Sequence, residues 1–197
     1  MIESQLWQKF KRGDEEAFSR IYHDHYNLLF NYLNKICGNE SLSHDCIQDI
    51  FLKLWKDRKK LGEVKSIRFY LLASVRRDIL RKIKKSRSQD ERKNEIAYEQ
   101  PEIMFSEEEI VIHRENSDEQ KRQIAEVLNA LPKRQKEAVY LKYYEDLSYE
   151  EVAAVMNLNY QSVVNLIYKA FKVLRNSELL KMMSKLQMIL VAYRLLS

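Results

Sequence analysis

Apolar residues recur at three- and four-residue steps along most of the chain. Phe18, Ile21, Tyr22, Leu28, Leu29, Tyr32, Leu33 and Ile36 form one such stripe, the spacing that places side chains on one face of an α-helix. The stripe predicts a helical block from about Ile2 to Cys37. Gly13-Asp14 interrupts it early, and Asp14 is a good N-cap for the long helix that follows. Gly38-Asn39 closes that helix, and Ser41 or Ser43 is expected to cap the next, whose Ile47, Ile50, Phe51 and Leu54 share one face. After Leu61-Gly62 a third helix is expected from near Val64 to about Lys85. Residues 89–117 lose the periodicity and contain Pro101, so they read as a linker, although Met104-Phe105 and Ile110-Val111-Ile112 are apolar enough to dock.

The helical period returns near Asp118, with Ile124, Val127, Leu128 and Leu131 on one face. Pro132 is expected in the first turn of the next helix, to which Val139, Leu141 and Tyr143 belong. Ser148-Tyr149-Glu150-Glu151 is a capping box, in which Ser148 bonds the amide of Glu151 and Glu151 reaches back. The short helix it caps carries Val152, Ala153 and Val155. A tight turn, Met156-Asn157-Leu158-Asn159, leads into a longer helix from Tyr160 to about Arg175, with Val163, Leu166, Ile167, Ala170, Phe171 and Leu174 toward the core. This is helix-turn-helix organisation, in which the start of the second helix meets base edges while flanking cations hold phosphates. The candidates are Tyr160, Gln161, Ser162 and Asn165, with Lys169 and Lys172 further along. The competing reading is an ordinary helical hairpin with a polar surface.

Beyond residue 176, Leu179, Met182, Leu186, Ile189, Tyr193 and Leu196 follow a coiled-coil seam. A helix over 177–197 would pack on its own domain, self-associate or dock a partner, and Lys185 and Arg194 argue against membrane insertion. The fold expected is therefore all-α. It comprises two small helical domains, 1–88 and 118–176, a flexible acidic linker over 89–117, and a C-terminal amphipathic helix. Only 3 Gly and 2 Pro occur in 197 residues, which agrees with helices over turn-rich sheets.

Charge changes this picture more than composition does. The net charge is +5, but residues 1–88 carry 19 Lys and Arg against 11 acids, 89–117 carry 3 against 9, and 118–197 carry 12 against 9. Two basic blocks flanking an acidic one suit two surfaces facing a polyanion, joined by a segment that the polyanion repels. Some 30 residues of linker span about 30 Å relaxed and about 100 Å stretched, enough for DNA sites two or more helical turns apart.

No signal-peptide pattern opens the chain and no apolar run reaches the roughly 18 residues that span a bilayer, so a soluble, cytoplasmic protein is expected. Cys37, His44 and Cys46 match no familiar zinc spacing, and neither a metal nor a cofactor is expected. Nor does the sequence contain a nucleophile-base constellation or a Gly-rich phosphate loop, so an enzyme is not expected.

Two further faces carry candidate chemistry. Opposite its apolar face, the second long helix presents Asp45, Gln48, Asp49 and Leu52, with Trp55 at the edge. Such a mixed acidic and apolar strip fits a protein partner, against the alternative of a solvated face with one stray Leu. From Lys65 to Lys85 the third helix holds Lys65, Arg68, Arg76, Arg77, Arg81, Lys82, Lys84 and Lys85 against one acid, Asp78, with Phe69 and Tyr70 ahead of the Arg pair. Cations neutralise phosphates and aromatic faces stack on unpaired bases, the combination that melting DNA requires. A basic solvated helix with core aromatics is the alternative.

Three segments resemble extracytoplasmic-function sigma factors of bacterial RNA polymerase. They are Gly13 to Phe18 with Ile21-Tyr22, Asp45 to Trp55, and Leu131 to Gln135 followed by Leu147 to Ala153. The resemblance runs from about Phe10 to Arg175 except in the linker. It implies a protein that binds core polymerase and directs promoter recognition, DNA melting and initiation. By it, Asp45, Gln48, Asp49, Leu52 and Trp55 would meet the clamp coiled coil of the largest subunit, and the flap is implied as a further polymerase contact. Arg68, Phe69, Tyr70, Arg76, Arg77, Arg81, Lys84 and Lys85 would melt and hold the -10 element. Arg134, Tyr160, Gln161, Ser162, Asn165, Lys169 and Lys172 would bind the -35 element. The linker would thread toward the cation-lined active-site and RNA-exit channels, and an anti-sigma or other regulatory protein is implied as a partner.

The chain departs from the family pattern at Arg77 and Arg81, where amide or acidic side chains are usual, and at Asn157, where Gly is usual. Asn tolerates the left-handed geometry of such a turn. Two readings outside this one are a stand-alone helix-turn-helix regulator and a sigma-like module recruited through its C-terminal helix.

Overall fold

A computed structural model describes residues 3–90, 103–106 and 118–176; the side chains of 86–90, 120 and 176 are left aside. The expected helix over 177–197 and most of the 89–117 linker lie outside the described residues. All the described secondary structure is helical, and the chain divides into two compact units, Met1–Pro101 and Glu102–Ser197.

The first unit comprises α1 (Glu3–Lys11), α2 (Glu15–Cys37), α3 (Glu40–Asp57), a 3-10 turn (Arg58–Lys60) and α4 (Ile67–Asp90). Its core is the shared face of α2, α3 and α4. Ile21, Leu29 and Leu33 of α2 are buried with Ile47, Phe51 and Leu54 of α3 and Leu71, Leu72, Val75 and Ile79 of α4, each such burial contributing about 1.5–3 kcal/mol. Asp14 caps α2 as expected, accepting from Ala17 N at 2.9 Å. Gly38, at φ +61°, ends the helix in the left-handed conformation, its N–H donating to Asn34 O; this is the geometry glycine adopts without strain.

Two boundaries differ from expectation. The cap of α3 is Asn39, whose Oδ1 accepts from Leu42 N at 2.9 Å. Ser41 is exposed, and Ser43 lies inside the first turn with its Oγ donating to Asn39 O. Coming straight out of the Gly38 turn, the chain is extended at Asn39 (φ −140°), the backbone that an N-cap requires.

The second shift is at α4, which begins at Ile67 rather than near Val64 because α1 holds the preceding loop open. Trp7 Nε1 donates to Gly62 O at 3.0 Å, Gln8 and Lys11 both bond the Glu63 carboxylate, and the Glu3 carboxylate accepts from Ile67 N. Ser66 then completes the helix start, its Oγ accepting from Phe69 N.

The second unit comprises α5 (Asp118–Asn129), α6 (Lys133–Val139), a π-helical turn (Tyr140–Tyr144), α7 (Tyr149–Met156) and α8 (Tyr160–Asn176). Leu128, Leu131, Ala138, Leu141, Val152, Val155, Met156, Val163, Ile167 and Ala170 form its core. Pro132 stands at the N-cap of α6 rather than within its first turn, and its carbonyl accepts from Gln135 N and Lys136 N. The helix expected to carry Val139, Leu141 and Tyr143 unbroken widens at Tyr140, where Glu145 N reaches back to Tyr140 O. That widening stacks Tyr140 on Tyr144 at 5.6 Å and leaves Leu147 buried ahead of α7.

Residues 89–90 of the expected linker continue α4, whereas residues 103–106 pack on this unit. Asn129 brackets Phe105 from both sides, its Oδ1 accepting from Phe105 N at 2.8 Å and its Nδ2 donating to Phe105 O at 2.9 Å. The Phe105 ring lies against Tyr140 and Tyr144, and Ile103 is buried with it.

Candidate functional site

Helix α3 turns one face into the unit and the other outward. Asp45, Gln48, Asp49 and Leu52 are all exposed, Leu52 to 69%. Trp55, the edge of this strip, is half-buried: its ring lies 4.9 Å from that of Phe18, and the Arg58 guanidinium sits 4.2 Å over it. The strip therefore combines an anchored aromatic edge, an open apolar centre and two carboxylates. His44 extends it and was missed in the sequence. It is exposed one turn before Gln48, stacks on Phe30 at 4.6 Å and bonds the Tyr26 hydroxyl through Nδ1. The signal was present, because positions 44, 48, 52 and 55 follow the helical period.

Cys46 points the other way, its Sγ donating to Val75 O and to Asp78 Oδ2 at 3.6 Å. Burial, reinforced by the Asp78 carboxylate, pushes this thiol up to about 12. Cys37 instead contacts Ser43 Oγ. His44, Cys37 and Cys46 thus take separate partners.

Helix α4 carries the cationic face, with Arg77, Arg81, Lys84 and Lys85 exposed. Four of the expected contact residues are not fully exposed. Arg76 is buried, at 9% exposure, and leaves the surface that Arg77 occupies; it lies one turn from the buried Leu72 and Ile79, on the side of the helix that faces the core. Tyr70 is half-buried, with its ring edge-on against Trp7 at 5.5 Å. Arg68 and Phe69 are half-buried as well. Arg81 bonds the buried Asp78.

Helix α8 is set by two side-chain caps. The capping box on α7 is complete, with Ser148 Oγ accepting from Glu151 N and Glu151 Oε2 from Ser148 N. Asn157, at φ +53°, makes the turn, and Asn159 Oδ1 accepts from Ser162 N at 2.7 Å. Tyr160, Gln161, Asn165, Lys169 and Lys172 are exposed and Ser162 is half-buried; Arg134, at the start of α6, is exposed too. Gln161 Nε2 donates to Asn165 Oδ1 at 3.3 Å, so these amides share one row. Tyr168, 65% exposed, belongs to the same row and was missed. The spacing 161, 165, 168, 172 would have found it, had the aromatic not read as core.

Sequence families and known structures match this arrangement. The Sigma-70 region 2 family matches residues 21–89 and the Sigma-70 region 4 family residues 121–174, together more than half of the chain. The ECF RNA polymerase sigma factor SigK of Mycobacterium ulcerans is 20% identical over 172 residues, covering 87% of this chain and 90% of that protein. Its counterpart from Mycobacterium tuberculosis strain H37Rv is 22% identical over the same length. The chain belongs to the extracytoplasmic-function sigma factors. It is therefore an RNA polymerase sigma factor directing promoter recognition.

The region 2 match of this sigma factor spans most of α2 through α4, and the region 4 match spans α5 to α8. Its fold resembles that of the sigma factor RpoE of Bartonella quintana, solved with the anti-sigma factor NepR (TM-score 0.61, 17% identity, 86% of this chain and 99% of that one). It also resembles CnrH solved with the cytosolic domain of CnrY (TM-score 0.54, 19% identity, 87% and 94%). Among the described residues no helix of the sigma factor is long and apolar enough to cross a membrane.

Proposed function

We propose that the sigma factor divides its work among three helices. Helix α3 docks core polymerase through Asp45, Gln48, Asp49, Leu52 and Trp55, with His44 extending the contact. Helix α4 holds the melted -10 strand through Arg77, Arg81, Lys84 and Lys85. Helix α8 reads the -35 element through Tyr160, Gln161, Ser162, Asn165 and Tyr168, while Arg134, Lys169 and Lys172 hold phosphates. The observation that carries this reading is the chemical opposition inside the first unit. A leucine 69% exposed among carboxylates lies on one helix, and a row of exposed cations lies on another. DNA repels the first surface and attracts the second.

The protein works in the cytoplasm, without chemistry of its own, and an inhibitory protein restrains it by covering these faces, as the anti-sigma complexes of the structural neighbours suggest. The decisive test mixes the protein with core polymerase and a promoter template. Co-elution and a specific run-off transcript are expected, and absence of both sinks the reading.

A finer test addresses α8. Gln and Asn amides suit adenine, and a good bidentate pair discriminates by roughly 1–3 kcal/mol. Asn165→Ala is expected to weaken binding to the preferred -35 sequence roughly 5- to 150-fold. Binding to unrelated duplex should change little, as competition gel shifts at fixed salt will read.

A further inference from the structure

Lys82 is a cation of α4 to which the division of labour above gives no task. Its Nζ lies between two carboxylates, 2.6 Å from Asp49 Oδ2 and 3.6 Å from Asp78 Oδ2. The two differ in kind. The Asp78 side chain is 8% exposed and is already engaged by Arg81 and by the Cys46 thiol. Asp49, 61% exposed, stands on the acidic-apolar strip of α3, 33 residues away in sequence. The nearer counter-ion of Lys82 is therefore a residue of the polymerase-facing surface.

We propose that Asp49 is a coupling residue that masks Lys82 in the free protein and releases it to a DNA phosphate when polymerase engages the strip. The inference rests on the assignment of α3 to polymerase. A cationic partner side chain at Asp49 competes with Lys82 for the same carboxylate. Lys82 then keeps only the farther Asp78, which it shares with Arg81. On α4 it lies next to Lys85 around the helix, so the released ammonium adds one charge to the exposed row of Arg77, Arg81, Lys84 and Lys85. Polymerase binding and strand binding become positively linked through one side chain. The free protein holds the strand less well than the holoenzyme does.

The test is a double-mutant cycle on the full-length protein without polymerase, using a fluorescent single-stranded oligonucleotide. Asp49→Asn is isosteric and frees Lys82. It is expected to tighten binding about three- to tenfold at low salt and to steepen the salt dependence by roughly 0.7, the increment for one further single-strand phosphate contact. Removing an acid raises the net charge in any case, so the same change is made in a Lys82→Gln background, where the gain should vanish. Asp45→Asn, which alters the same strip away from Lys82, should give little gain.

No tightening in Asp49→Asn, or an equal gain in Asp49→Asn/Lys82→Gln, overturns the proposal. A second readout uses holoenzyme, where Lys82→Gln is expected to slow promoter opening severalfold. Unimpaired opening overturns the coupling while leaving the polymerase assignment intact. Failure of the unmodified protein to support any specific transcript would instead overturn that assignment.

Discussion

Leu52→Glu is expected to abolish association with core RNA polymerase while leaving the helical bundle folded. The side chain is 69% exposed, so its removal opens no cavity, and glutamate is as good a helix former as leucine. At an interface the same substitution takes the apolar centre of the strip and buries a carboxylate beside Asp45 and Asp49. Truncating a central anchor of this kind costs about 2–4 kcal/mol, roughly a 30- to 700-fold loss of affinity, and the unpaired buried charge adds to it. Size-exclusion co-elution and a titration of labelled core polymerase measure the loss, and an unchanged circular dichroism melt shows the fold intact. Retained affinity would mean that this face does something else. Asp49→Arg should behave likewise, because it reverses the charge at the centre of the acidic strip.

Trp7→Ala is expected to produce the largest loss of stability. The indole is fully buried, packs on Phe10 and Tyr70, and donates to Gly62 O. Deleting a buried Trp costs about 3–5 kcal/mol, a large part of the roughly 5–15 kcal/mol that holds a domain folded. The damage should be local to the first unit. Trp55 is the second of two tryptophans and also lies there, so its fluorescence reports that unit alone in a urea titration. A lower urea midpoint by fluorescence, with the helical signal of the second unit persisting to higher urea, is the expected pattern. Trp7→Phe keeps the ring contact but loses the bond to Gly62 O, and should cost about 1 kcal/mol. Both variants should also slow promoter opening more than they weaken polymerase binding, because α1 holds the loop from which α4 starts while α3 remains in place.

Much of this architecture is dictated locally and is therefore legible in the residue order. Helical period, the Asp14 cap, the Gly38 stop, the Ser148 capping box and the Asn159 cap all depend on neighbours within a turn. The outward strip of α3 and the amide row of α8 follow from the same period, since a residue's face is fixed once its helix is. Where those readings slipped, the competing residue lay far away. The α4 start moved to Ile67 because Glu3 and Trp7 hold the loop from more than 50 residues upstream. Phe105 lies against the second unit because Asn129 brackets its backbone.

Charge shows the limit most clearly. By composition the stretch Lys65–Lys85 is a run of cations relieved by one acid, and Arg68, Arg76, Arg77, Arg81, Lys84 and Lys85 all read alike as facing DNA. Tertiary packing sorts them: Arg76 goes inside, Arg81 binds a buried carboxylate, Lys82 is claimed by an aspartate of another helix, and Arg77 stays outward. The sequence by itself determined the helices, their main apolar faces, and the separation of an acidic-apolar strip from a cationic helix, because each rests on short-range geometry. Which of those cations stay exposed and which are paired was decided only by the folded structure. A charge is neutralised by whatever carboxylate lies within a few ångströms, and three-dimensional packing, not chain position, chooses that neighbour.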